Sequence, residues 1–302
     1  MIVRDKRNTF LLLFAWHGTI LPKILPALLL IMSCAAILAA LSYYHFFAIP
    51  AVPTIGFTIF GVILSIFLGF RNSACYERWW EARKLWGALI ANTRHLVRDT
   101  YVLSDSRRER ILYQLIVFSN LLRDRLRQQT ANPTQLIAYG THPDNIEQLN
   151  NHINAAQYTL EQIQKSLIEA LKTHEISDIV YSTLHHHVVE LGNIQAGCDR
   201  IASTPLPYSY SVLLHRAVYC FCFMLPFSLG EIMGLFTPIL VGLLAYLFLG
   251  LDELSAQIEE PFGIQENDLP LDSIVRLVER EILTSLNVPL PPVIEAQQHN
   301  LL

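Results

Sequence analysis

The chain has 302 residues, of which 52% are hydrophobic and only 16% charged, with a mean hydropathy of +0.34. That balance excludes an ordinary soluble domain and indicates an integral membrane protein with a sizeable aqueous part. A net charge of -4 offers nothing to nucleic acid. The five cysteines form no CxxC pair or Cys/His metal spacing, so they read as reduced structural thiols rather than a disulfide framework.

Residues 1–23 begin with Arg4, Lys6 and Arg7 and a short apolar run broken by Trp16, His17 and Gly18. No small-residue cleavage pattern follows, which argues against a secretory signal peptide. A cytosolic, interface-lying segment is expected, with Trp16 at headgroup depth and Lys23 flanking the next span. Residues 24–70 contain no Asp, Glu, Lys or Arg. As a helix, Ile24 to Tyr44 rises about 31 Å, one bilayer core. Pro50 and Pro53 force a turn, and Phe57 to Phe70 supplies the return, giving a first transmembrane hairpin.

Residues 71–208 read as a cytosolic helical region of three or four helices. Leu115, Phe118, Leu122 and Leu126 mark one apolar face and Ile163, Leu167 and Leu171 another, with breaks at Asn132-Pro133 and Thr141 to Asp144. Residues 209–251 make a second transmembrane hairpin turning near Glu231 to Pro238. Arg71, Arg78, Arg83 and Lys84 cluster after the first hairpin, whereas the expected external turns carry only Glu231, so both termini are placed in the cytoplasm. Residues 252–302 form a cytosolic C-terminal segment. It is predicted to hold a helix over Leu271 to Leu286 and then an extended or loose end with Pro289, Pro291 and Pro292. The expected fold class is therefore all-α, with four transmembrane helices in two hairpins plus a cytosolic helical domain.

The chain is organised around Thr54 to Trp86, which begins as hydrocarbon and ends as a charged helix. Val62, Ile66 and Phe70 stand at i, i+4 and i+8, on nearly one face. Taken alone, such a row is lipid contact or core packing as readily as a pore surface. Gly61 and Gly69 would admit close helix approach, and Ser65 can bond a carbonyl one turn back. His185, His186 and His187 are consecutive, so on a helix they point about 100 degrees apart and cannot converge on one ion. No Ser/His/Asp set suggests catalysis, and no cofactor or enzyme activity is assigned.

Arg78-Trp79-Trp80 after an apolar span resembles the Arg-Trp-Trp signature of the bestrophins. Ser203-Thr-Pro205-Leu-Pro-Tyr208 is similar to the family's Ile-Pro-Leu-Val-Tyr segment. Glu260-Pro261-Phe262-Gly263 is similar to its Asn-Pro-Phe-Gly. The resemblance covers roughly residues 1–285 and is to the bacterial branch. It implies a homopentameric ion channel in a bacterial inner membrane, a pore on the fivefold axis lined by the second span, and Val62, Ile66 and Phe70 as an apolar neck. Its partners would be four further copies, the lipid bilayer and monovalent ions.

A narrow apolar tube can dewet and so acts as a gate rather than a binding site. Glu77 lies seven residues past Phe70 on the same helical face. Five such carboxylates would favour cations such as sodium; alternatively, Glu77 pairs with Arg71, Arg78 or Arg83 and only stabilises the helix. The resemblance implies anion conduction in eukaryotic relatives and cation conduction in the bacterial branch, and cations are the reading taken here. Eukaryotic relatives hold calcium with consecutive acidic residues after Pro-Phe-Gly. Here that run is broken, leaving Glu266 and Asp268 as solvated or helix-capping groups, too few for a six- to eight-oxygen cage of about that size. A second cytosolic aperture is expected at Ile179 or Val180. The alternatives are an anion (chloride) channel of the same fold, a carrier, or a membrane-anchored scaffold or sensor. A carrier would show broken helices with buried midplane charges, which the spans lack.

Overall fold

The computed structural model describes residues 16, 18–44, 54–130, 132–139, 149 and 152–296. The expectations for the first fifteen residues, the Pro50 to Pro53 turn, the break at Thr141 to Asp144 and the last six residues lie outside them. Among the described residues the secondary structure is helical, with no strand. In chain order the helices are α1 (Leu21–Tyr43), α2 (Thr54–Asp99), α3 (Asp105–Leu126), α4 (Pro133–Ala138), α5 (Ala155–Lys172), α6 (Asp178–Ser203), α7 (Tyr208–Met233), α8 (Thr237–Glu259) and α9 (Leu271–Ser285). Four are long and apolar enough to cross a membrane: α1, α2, most of α7, and α8 together with the turn before it.

Two units divide the chain. The apolar one gathers the described residues up to 79 with 205–260. Its core joins Ile24, Leu28, Ile31 and Ala35 of α1 to Leu64 and Leu68 of α2, Val218 and Leu225 of α7, and Val241 and Ala245 of α8. Phe221 of α7 packs against Phe57 and Phe60 of α2 and Phe248 of α8, with ring centroids 5.5, 5.7 and 4.9 Å away. Helix α7 reverses into α8 at Gly234, whose φ of 52° is a left-handed conformation that glycine adopts without penalty. A one-turn 3-10 segment (Gly234–Phe236) follows, and Pro238 sits in the first turn of α8, where its missing N–H costs no bond. The turn thus falls inside the stretch expected for it.

The polar unit holds residues 80–204 and those from 261 onward. Side-chain caps start three of its helices. Asn132, Asn154 and Ser177 accept hydrogen bonds from the N–H groups of Thr134, Gln157 and Val180, as N-cap residues do. Helix α3 is its centre, packing against α5 and α9. Leu115, Phe118, Leu122 and Leu126 are all buried, as expected, together with Ile111 and Ile116. On α5, Ile163 and Leu167 are buried whereas Leu171 is half-buried. After α9 the chain to residue 296 has no helix; Arg276 and Arg280, one turn apart on α9, donate to the carbonyls of Pro292 and Pro291.

Helices α1 and α8 cross closely because Gly242 offers no side chain: a Cβ there would stand 2.8 Å from Met32 Sδ and 3.1 Å from its Cγ. Gly242→Leu is therefore expected to lower the thermal midpoint of the purified protein in detergent. The loss should correspond to about 1–3 kcal/mol of overpacking, and adding Met32→Ala should restore part of it.

Candidate functional site

Helix α2 is 46 residues long and buries one ridge. Leu64, Leu68, Arg71, Cys75, Ala82, Trp86, Leu89, Thr93, Leu96 and, just past its end, Thr100 follow one another at three-, four- or seven-residue steps, and all are buried. Such spacing puts them on one side of a helix. The opposite side carries the candidate neck. Val62, Ile66 and Phe70 are 55%, 52% and 65% exposed, against 2% and 1% for Leu64 and Leu68. The row points away from this chain's own core, which removes core packing as its explanation. Ser65 Oγ donates to Gly61 O at 2.7 Å, as its spacing suggested. Of the two glycines, Gly61 is closely approached, by the Phe221 ring at 3.2 Å, whereas nothing lies within 4 Å of a Cβ at Gly69. Close approach through Gly69 is therefore not found among the described residues.

Past Phe70 the exposed stripe turns polar, through Ser73 to Glu77, both exposed. Two of the three arginines weighed as partners for Glu77, Arg71 and Arg78, are engaged elsewhere. Arg71 is 5% exposed, not the juxtamembrane surface cation that charge counting suggested. Its Nη1 donates to Asp252 Oδ1 and its Nη2 lies 3.7 Å from Glu259 Oε2. Arg78 Nε donates to Glu259 O at 2.7 Å.

Around Arg71 a charged cluster forms that reading the sequence did not find. Asp252, buried on α8, takes Arg71 on one carboxylate oxygen and His215 Nδ1 of α7 on the other, at 2.6 Å. Glu259 Oε1 accepts the Leu206 N–H at 3.1 Å, which fixes the segment carrying Pro205, itself exposed. Tyr210 adds a bond from its hydroxyl to Phe67 O at 3.1 Å. Four stretches of sequence are thus tied together one residue after Phe70. In the signature motif Trp79 is half-buried and stacks on Tyr76 with centroids 6.3 Å apart, while Trp80 is half-exposed.

In the polar unit, Pro261 and Phe262 are buried and Gly263 is half-buried. Pro261 O accepts from Leu269 N at 2.9 Å, closing a compact loop. Inside it Asp268 is 2% exposed and its Oδ2 accepts from Gln265 N at 2.6 Å. Asp268 is therefore a buried loop-closing group rather than a solvated one; Glu266 is exposed. Ile179 is 80% exposed at the start of α6, and Val180 is half-buried. The three histidines diverge as expected. His185 Nδ1 meets Gln164 Oε1 at 2.8 Å, His187 Nε2 meets Asp99 Oδ2 at 2.8 Å, and His186 is exposed. Among the described residues no group of three or more His, Cys, Asp or Glu side chains could hold a metal ion.

The comparison with known proteins is consistent along the whole chain. The family described as Bacterial/Fungal Bestrophin protein matches residues 1–284. The chain belongs to the bestrophin family. The "Voltage-dependent anion channel-forming protein YneE" of Salmonella typhi is 37% identical over 286 residues, 94% of this chain and 93% of that one. A voltage-dependent anion channel-forming protein of Mesorhizobium japonicum is 34% identical over 99% of this chain and 96% of its own length. The crystal structure of a bacterial bestrophin homolog from Klebsiella pneumoniae superposes with a TM-score of 0.82 at 31% identity, covering 88% of this chain and 99% of that one. With four apolar helices, this bestrophin is an integral membrane protein. The names of the two relatives specify anions, which runs against the cation expectation drawn from Glu77.

Asp252→Asn leaves the buried Arg71 guanidinium with only the more distant Glu259, at 3.7 Å, as counter-charge. The expected loss is about 3–5 kcal/mol of stability, read as a lower thermal midpoint in detergent, with Arg71→Met/Asp252→Leu recovering most of it.

Proposed function

We propose that this bestrophin is one subunit of a homopentameric channel that conducts monovalent ions passively across the bacterial inner membrane, both termini being cytoplasmic. The observation that carries the reading is the exposed row Val62, Ile66 and Phe70, set opposite the buried Leu64 and Leu68 on one helix. Side chains of that kind, about 12 Å from first to last, form a neck when copies of α2 surround an axis. Three apolar rings bind no ion and control passage by wetting. Ile179, exposed at the start of α6, is the residue that narrows the cytosolic exit, and half-buried Val180 is not.

Ions are taken to be cations such as sodium, because Glu77 is exposed on the neck's face and two of the arginines considered for it, Arg71 and Arg78, are bound to other groups. A ring of carboxylates at the neck's cytosolic mouth raises the local cation concentration. The second reading, anion conduction, is favoured by the names of the curated relatives. Calcium has no part in this proposal, since Asp268 is committed to closing its own loop.

Purified protein in a planar bilayer under a tenfold sodium chloride gradient decides the sign. An ideally cation-selective pore reverses about 59 mV from zero, on the sodium side. A reversal near the chloride potential would establish the anion reading instead. Glu77→Gln is expected to move the reversal potential toward zero without changing oligomer mass. Ile66→Ala is expected to raise unitary conductance; unchanged conductance would remove the neck from this row. Monomeric protein, or a pentamer without flux, would leave the scaffold reading standing.

A further inference from the structure

The cluster around Arg71 lies one residue from the last ring of the candidate neck, and one of its members is open to solvent. Asp252 and Arg71 have side chains 7% and 5% exposed, whereas the His215 side chain is 58% exposed. Histidine is the side chain that ordinarily changes charge between about pH 5 and 8. His215 is the cluster's member open to solvent, and Asp252 links it to Arg71 because its two oxygens serve the two partners separately.

The charges facing His215 are few. Helix α8 brings Asp252, with Glu253 beside it held by Lys23 of α1 at 3.6 Å, and Glu259. Helix α2 brings Arg71, and farther along it Cys75 and Arg78. On α7 itself the ring of Tyr219 lies 4.7 Å from the His215 ring, and the adjacent Arg216 is exposed. Neutral His215 can donate one ordinary hydrogen bond from Nδ1 to Asp252. Protonated, it makes the same bond with a charge, roughly twice as strong. The cluster also has slack: Arg71 Nε is buried and has no hydrogen-bond partner among the described residues. An incompletely satisfied buried network can rearrange when one bond in it changes strength.

We propose that His215, acting through Asp252 and Arg71, is a proton-sensitive positioning residue for the Phe70 ring, and that its protonation tightens the cluster and reduces conduction. The backbone of α2 transmits the effect, because Arg71 follows Phe70 directly on one continuous helix. This inference rests on the pore reading.

The test measures sodium flux and, separately, chloride flux into vesicles reconstituted with the full chain at about pH 8 and about pH 5.5, spanning the histidine range. Wild-type flux is expected to fall about fivefold on acidification, the change that strengthening one charge-assisted bond by about 1 kcal/mol produces. His215→Gln should abolish most of that fall while keeping the wild-type reversal potential. His215→Lys, a permanent cation, should conduct at pH 8 at the wild-type acid level. A wild-type protein that is insensitive to pH, or more active in acid, overturns the inference. So does an acid response that survives His215→Gln. In these cases the pore reading stands, because the protein conducts. Wild-type protein that passes no ion at either pH overturns both.

Discussion

A single long helix that must satisfy two surroundings at once is the constraint on which this structure depends. Helix α2 has one ridge to bury and gives it wholly to its own chain, from Leu64 to Leu96. What remains includes a second apolar row, Val62, Ile66 and Phe70, each more than half exposed. About 25 cal/mol is gained for each square ångström of apolar surface taken from water, but within a bilayer that gain is already made by lipid. The exposed row is therefore cheap to hold in a membrane and available for contact with other copies or with the conduction path.

The buried ridge also explains why a charge is tolerated one residue after Phe70. At position 71 the ridge calls for an apolar residue and receives an arginine. A buried guanidinium is stable only with counter-charges and hydrogen bonds close by, and α8 supplies them in Asp252 and Glu259. The same pairing draws in His215 and the backbone before α7. An element that looks structural thus joins the ends of α2's apolar half, α7 and α8, one residue after Phe70.

Much of this was legible in the sequence, and the parts that were not share a cause. The first hairpin follows from a run free of Asp, Glu, Lys and Arg, the second from one holding only Arg216 and Glu231, and the helix near the C-terminus from the apolar spacing of Leu271, Ile274, Val275, Val278 and Ile282. Local chemistry of that sort is visible one residue at a time. Counting charges placed Arg71 with Arg78, Arg83 and Lys84 as a basic collar. Only the register of Leu64, Leu68 and Cys75 around it shows that it faces inward, and its partners lie 181 and 188 positions away. Asp268 was misread for a related reason: its bond to Gln265 is local, but its burial depends on the fold of the loop that Pro261 and Leu269 close. Glu77 has two roles open to it in the sequence, because three arginines lie within reach there and nothing says which of them are taken.

The end of the chain illustrates a different kind of economy. The arginines at 276 and 280 grip the proline segment by its carbonyl oxygens, while the side chains of Leu290 and Val293 stay exposed. Attachment through main-chain atoms is indifferent to which side chains the strap carries. Substitutions along it can therefore accumulate without loosening its hold, provided the two guanidinium groups and the spacing between them are kept.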